Sequence, residues 1–121
     1  MAIRKILVVD DSPTELSLIL AALDGKGFQL STAVDGEDAL EKARTESPDL
    51  ILLDVILPKK NGFQVCRALK TAPDTQDVKI VMVTSKTQDS DRFWGLKQGA
   101  DEYLTKPLDS DELDSVLAKL A

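Results

Sequence analysis

Three uninterrupted apolar runs, Ile6-Leu7-Val8-Val9, Leu50-Ile51-Leu52-Leu53 and Ile80-Val81-Met82-Val83, each stop at a polar residue: Asp10, Asp54 and Thr84. A run this short and continuous suits a strand covered on both faces, because a strand with one wet face alternates apolar and polar residues. Between the runs the period lengthens to that of a helix. Pro13 suits a first helical turn, and Leu16, Leu20 and Leu23, with Ile19 beside them, form a stripe that stops near Gly25 and Gly27. Phe28, Leu30, Thr32 and Val34 alternate as in a second strand, after which Asp35 can cap a helix carrying Ala39, Leu40 and Ala43 as far as Ser47-Pro48. Beyond Pro58 and Gly62, a third helix is marked by Phe63, Val65 and Leu69, with Asn61 and Gln64 as its capping box. A fourth helix is predicted from about Asp91 to Gln98, stopping at Gly99, and Tyr103-Leu104 make a short fifth strand before Lys106-Pro107. Asp109 with Glu112 reads as another capping box, and Leu113, Val116, Leu117 and Leu120 give the last helix its core face.

Five βα units therefore account for the chain as an α/β fold, a (βα)5 doubly wound parallel sheet with helices on both sides in three layers. The common strand order for five such units is 2-1-3-4-5, in which the winding reverses between strands one and three and leaves a ligand crevice at their carboxyl ends. Asp10, Asp11 and Asp54 are predicted to meet there. The 121 residues, 43% apolar and 30% charged, suit a single domain over 1–121 with no output domain. The balance of 15 basic against 21 acidic residues, 15 − 21 = −6, repels polyanions, so nucleic acid is not expected as a ligand. There is no histidine and a single cysteine, Cys66, which removes histidine triads, histidine metal sites, CxxC pairs, zinc clusters and internal disulfides together. No stretch resembles a signal peptide or a bilayer span, and the expectation is a cytoplasmic protein with no membrane partner.

Three carboxylates at one point repel one another by about 4 kcal/mol per pair at about 4 Å and an effective dielectric of about 20. A proton on one of them, or a divalent cation among them, would compensate. With oxygen donors only, a hard ion that keeps several waters is favoured, which points to Mg²⁺. A cation beside a carboxylate also shields an incoming phosphoryl group, so the crevice reads as a phosphoryl acceptor, with Asp54 as the attacking oxygen and Asp10 and Asp11 as metal holders. Thr84 and Lys106, at the ends of two further strands, offer a hydroxyl and an ammonium to phosphate oxygens.

Asp10-Asp11, Asp54 followed by Pro58 and Gly62, Thr84, and Tyr103 followed by Lys106-Pro107 together resemble the receiver domain of two-component response regulators, over Lys5 to Leu120. Receivers are themselves a standing example of the flavodoxin-like 2-1-3-4-5 order, so the strand order and the resemblance are one argument. The stretches Asp11-Ser12-Pro13-Thr14-Glu15, Asn61-Gly62-Phe63-Gln64 and Trp94-Gly95-Leu96-Lys97-Gln98-Gly99-Ala100 resemble stand-alone receivers of type IV pilus chemosensory systems. The resemblance implies that Asp54 takes a phosphoryl group from a phosphohistidine of a histidine kinase or phosphotransfer domain. It implies that Asp10 or Asp11 holds Mg²⁺ directly or through water, with the Ile56 carbonyl as a further ligand. It also implies that Lys106 and Thr84 bind the phosphate and that the Lys106-Pro107 bond is cis. Movement of Thr84 would let Tyr103 rotate inward and remodel the face of helix four, strand five and helix five, which a downstream protein would read. A monomer or weak dimer is expected. Ile56 and Lys86 stand where other members of the family often differ, and Ile56 offers nothing polar to orient a hydrolytic water.

Each residue also has an ordinary reading. Asp10 and Asp11 could cap a helix beginning near Pro13, Thr84 could be a strand residue, Lys106 a solvated lysine and Tyr103 core. Asp54 is harder to place as structure, because a carboxylate after a buried strand needs partners to offset its desolvation. Adjacent Phe93 and Trp94 point about 100° apart on a helix, so one of them is expected to be half exposed; Trp94 either anchors a partner or fills a groove. Among rival functions, a phosphohydrolase of the haloacid dehalogenase type needs a second acid two residues after the nucleophile, where this chain has Ile56. A flavin carrier needs a hydroxyl- and glycine-rich loop where it has Asp10-Asp11. A receiver that only binds partners would be expected to have lost part of the acid and lysine set, which is intact.

Overall fold

The computed structural model describes residues 2–121. Ten elements alternate: β1 (Lys5–Val9), α1 (Pro13–Leu23), β2 (Gln29–Ala33), α2 (Gly36–Glu46), β3 (Leu50–Leu53), α3 (Gly62–Thr71), β4 (Lys79–Thr84), α4 (Asp89–Lys97), β5 (Glu102–Thr105) and α5 (Ser110–Leu120). The strands form one sheet in the order β2-β1-β3-β4-β5, and every pairing is parallel. The two-residue period of a strand divides the core. Leu7, Val9, Ile51, Leu53, Ile80 and Met82 pack with Ala39, Ala43, Val65 and Leu69 of α2 and α3. Their neighbours Ile6, Val8, Leu50, Leu52, Val81 and Val83 pack with Ile19 and Leu23 of α1 and Leu113, Val116 and Leu117 of α5. The uninterrupted apolar runs are thus the central strands, each feeding two cores.

Local sequence sets the helix ends. Asp35 Oδ1 accepts the Asp38 N–H at 2.8 Å, and Asn61 and Gln64 exchange both hydrogen bonds of a capping box at 2.9 and 3.0 Å. At α5 the cap is one-sided: Asp109 accepts from the Asp111 and Glu112 amides, and Glu112 is not seen to return a bond, which corrects the second expected box. Helix α4 starts two residues earlier than its apolar pattern indicated, because Asp91 Oδ2 accepts the Gln88 N–H at 3.2 Å and so organises the turn ahead of it. Strand β2 is present, but Leu30 and Val34 are exposed and Ala33 is buried instead. It is the edge strand, so its apolar alternation has less of the sheet to face. Trp94 is half exposed, at 50%, as expected of one of the adjacent pair, and Phe93 is more exposed still, at 64%. Gly95 is the residue that α4 buries.

Candidate functional site

Strands β1 and β3 are neighbours in register, Val9 opposite Leu53, so the residues that follow them emerge side by side. Asp10 and Asp54 are 1% and 5% exposed, each at the carboxyl end of a buried strand. Lys106, just beyond β5, reaches back across β4 and places its Nζ 2.7 Å from Asp10 Oδ2 and 2.9 Å from Asp54 Oδ2. Glu15 Oε2 lies 3.8 Å from the same ammonium. The outer oxygens of the pair are held by backbone: Asp10 Oδ1 accepts the Ser12 N–H at 3.0 Å and Asp54 Oδ1 the Ile56 N–H at 3.1 Å. Both carboxylates are therefore fixed in orientation, each between an amide and the lysine.

The cleft above them is lined by Asp10, Asp11, Ser12, Glu15, Asp54, Ile56, Ser85, Lys106 and Pro107. Asp10, Asp11, Asp54, Ile56 and Lys106 thus share one cleft. Thr84 does not line it. Its side chain is fully buried beneath, where Oγ1 accepts the Lys86 N–H at 3.4 Å, and Ser85 faces the opening. The cap of α1 is Ser12, whose Oγ accepts the Glu15 N–H at 3.3 Å, so the capping alternative for Asp10 and Asp11 is not what the structure uses. Ser12 before Pro13 carried that signal in the sequence. Gly62 backs the acceptor strand: a Cβ there would lie 2.2 Å from the Asp54 carbonyl oxygen, so only glycine lets α3 start against it. The Lys106–Pro107 peptide bond is cis.

The electrostatics follow from burial and pairing. Burial pushes the Asp10 carboxyl above its ordinary value; the hydrogen bonds from Lys106 and Ser12 oppose that rise, and the nearby Asp54 adds to it. Burial also pulls the Lys106 ammonium down, but its hydrogen bonds and attraction to Asp10 and Asp54 together outweigh this and raise it. Compensation for the converging acids thus comes first from lysine, a third route beside the proton and the cation that sequence reasoning had weighed.

Among the described residues, no three acidic or cysteine side chains are grouped so as to hold a metal by themselves. The donors nevertheless suit a hard cation. Two carboxylates buried in the protein face an open cleft beside the exposed Asp11, every donor is oxygen, and a bound ion would share Asp10 and Asp54 with Lys106. At position 56 only the backbone amide reaches Asp54; the apolar side chain, 51% exposed, can neither donate nor accept a proton, which argues against an enzyme that uses this position as general acid.

Tyr103 lies on the other side of this end of the sheet. It is 2% exposed, its hydroxyl donates to the Lys86 carbonyl at 2.8 Å, and burial raises its phenol above the ordinary value. The ring expected to rotate inward on signalling is already inside. Cys66 is packed, and burial pushes its thiol up to about 12, so it carries no nucleophile at neutral pH.

The family model for the response regulator receiver domain matches residues 6–118. The chain is 44% identical over 109 residues to protein PilH of Pseudomonas aeruginosa, with 90% of each chain covered. It is 45% identical over 112 residues to the Bacillus subtilis alkaline phosphatase synthesis transcriptional regulatory protein PhoP, but spans only 46% of that longer protein while 93% of its own length is matched. In structure it is similar to the receiver domain of the sensor histidine kinase PA1611 from Pseudomonas aeruginosa, which has a magnesium ion coordinated in its active-site cleft. The TM-score there is 0.89, with 30% identity and 98% of each chain covered. The chemotaxis response regulator CheY4 of Vibrio cholerae gives 0.89 and 30%, covering 99% of this chain and 100% of its own.

Proposed function

The chain belongs to the response-regulator receiver family, and on that premise we propose that it is a phosphoaspartate switch whose acceptor is Asp54. One observation carries the assignment: Asp54, buried at the end of β3, is held between the Ile56 amide and the Lys106 ammonium, facing an open cleft. A carboxylate so fixed needs no reorientation to attack. The donor is a phosphohistidine of a kinase or phosphotransfer domain. An Asp54 oxygen forms a bond to phosphorus as the P–N bond breaks, and the imidazole nitrogen keeps the electron pair and takes a proton. A Mg²⁺ ion, when bound through Asp10, Asp11, Asp54 and the Ile56 carbonyl, would supply positive charge to the equatorial oxygens. Lys106 exchanges its carboxylate partners for a phosphoryl oxygen, and Thr84 must turn its hydroxyl away from the Lys86 amide to reach another. Hydrolysis reverses the acceptor bond, with water attacking phosphorus and the Asp54 carboxylate leaving. Phosphotransfer is thus directed at the protein itself.

Output passes by protein contact through the face of α4, β5 and α5, where Phe93 and Trp94 are exposed. We place that output in the control of type IV pilus motility, in the cytoplasm, on the strength of the local stretches from Asp11, Asn61 and Trp94 and of the likeness to PilH. Incubation with Mg²⁺ and acetyl phosphate is expected to add one phosphoryl group by intact mass and none to Asp54→Ala. Equal labelling of that variant would overturn the assignment.

A further inference from the structure

A glycine inside a helix costs about 1 kcal/mol relative to alanine, so Gly95, well within α4, calls for a reason. The reason is the tyrosine beneath it. A Cβ at Gly95 would lie 3.0 and 3.1 Å from Cδ2 and Cε2 of Tyr103 and 3.4 Å from Cε1 of Phe63. The missing methyl leaves a notch in α4, and the Tyr103 ring fills it. Arg92, one turn earlier on the same helix, holds its guanidinium 5.4 Å from the ring centroid and donates from Nη1 to the Tyr103 carbonyl at 3.2 Å. The hydroxyl end is bound by the Lys86 carbonyl. The ring is thus gripped by a notch, a cation and a backbone acceptor, all supplied by α4 or the loop leading into it.

We propose that Gly95 and Arg92 are positioning residues that keep Tyr103 seated in α4 before Asp54 is phosphorylated, so that signalling moves α4 and the tyrosine together instead of turning the ring inward. The idea rests on the reading of this chain as a phosphoaspartate switch in which Tyr103 takes part. Residue 86 supplies the link. Its amide donates to the Thr84 hydroxyl and its carbonyl accepts from Tyr103, so a Thr84 that turns to a phosphoryl group releases the same peptide segment that holds the ring. Since α4 carries the ring's seat, Phe93 and Trp94 on its outer surface shift with it.

The chain has a single tyrosine, so incorporated 3-fluorotyrosine reports on this ring alone. Without phosphodonor, the wild-type fluorine resonance is expected to be single and shielded from a soluble gadolinium chelate. Acetyl phosphate with Mg²⁺ should move it and leave it shielded. In Gly95→Ala, whose helix is the better former, an accessible resonance with at least about a tenth of the intensity should be present before any donor, against about a hundredth or less in wild type. Arg92→Gln, which leaves the notch intact, should give a smaller accessible fraction, and circular dichroism should match wild type for both. A Gly95→Ala spectrum identical to wild type, or a wild-type ring open to the chelate before donor is added, overturns the inference and leaves the assignment of Asp54 standing. A resonance that stays fixed while intact mass shows Asp54 phosphorylated removes Tyr103 from the switch, and the inference falls with it.

Discussion

Strand β3 is bracketed by two aspartates that fare differently. Asp49, just before it, accepts the Arg4 and Lys5 amides at 2.9 Å each, and those backbone bonds, the Lys5 bond foremost, hold its carboxyl below the ordinary value. Asp54, just after it, has one amide and otherwise depends on a lysine shared with Asp10, whose carboxyl burial pushes up. One end of the sheet uses a carboxylate to tie β1 to β3. The other sets two buried carboxylates against one lysine, with burial keeping the Asp10 charge unfavourable, at an open cleft that a phosphoryl group or cation can enter. Stability and function are thus assigned to opposite ends of the same strand.

The sharpest way to break that contrast is to neutralise one acid at each end. Asp10→Asn is expected to lower phosphoryl labelling by about 100-fold or more, since it removes a charged group beside the reacting atoms. It should nonetheless raise stability in urea by about 1 kcal/mol, because it removes the burial cost of the Asp10 charge and its repulsion by Asp54 while Lys106 keeps Asp54 as its partner. Asp49→Asn should do the opposite, losing about 1–2 kcal/mol with its charge-assisted bonds while labelling as wild type does. Loss of stability in both variants would erase the distinction.

A subtler test is pH, with metal removed by EDTA. Asp10 faces Asp54, Lys106 and Glu15, and Asp11 lines the same cleft. Its folded value lies above the ordinary 3.8, so ionisation is harder in the folded protein and stability falls as pH rises through the folded pKa. The advantage of Asp10→Asn should therefore be present at neutral pH, shrink as pH falls through the raised folded pKa, and close as pH falls past the ordinary 3.8. Asp49 has its folded value below 3.8, so its contribution is present above 3.8 and lost as pH falls through that lower value. The deficit of Asp49→Asn should close only at the lower pH. Urea midpoints measured from pH 7 to pH 3 would show two differences of opposite sign, with that of Asp10→Asn shrinking first; shrinkage in the reverse order would contradict the assigned shifts.

The smallest expected effect is at the cleft rim. Ile56→Asn should speed loss of the phosphoryl group by a few-fold, because an amide there can orient water that an apolar side chain cannot. An unchanged decay in a time course of intact mass would show that position 56 does not set the lifetime.

The strands, their order and the convergence of Asp10, Asp11 and Asp54 on one cleft were legible in the sequence, because a continuous apolar run ending in an aspartate states both that a strand is buried and where its polar end emerges. Helix starts at Asp35 and Asn61 were legible for the same local reason. Three things were not. Lys106 was legible as a phosphate binder at a strand end, but not as the counter-charge of Asp10, 96 positions away, because no local pattern says which charges pair before a phosphoryl group arrives. Thr84 lies under the cleft floor and Ser85 faces the opening, a choice of one residue's facing at a strand end. Gly95 read only as part of a family-like stretch, since a notch has meaning only once the tyrosine that fills it, eight residues on and in another element, is in place. Periodicity and capping act over a few residues and are written in the chain; charge pairing and fit between elements act across space and were settled only when the sheet assembled.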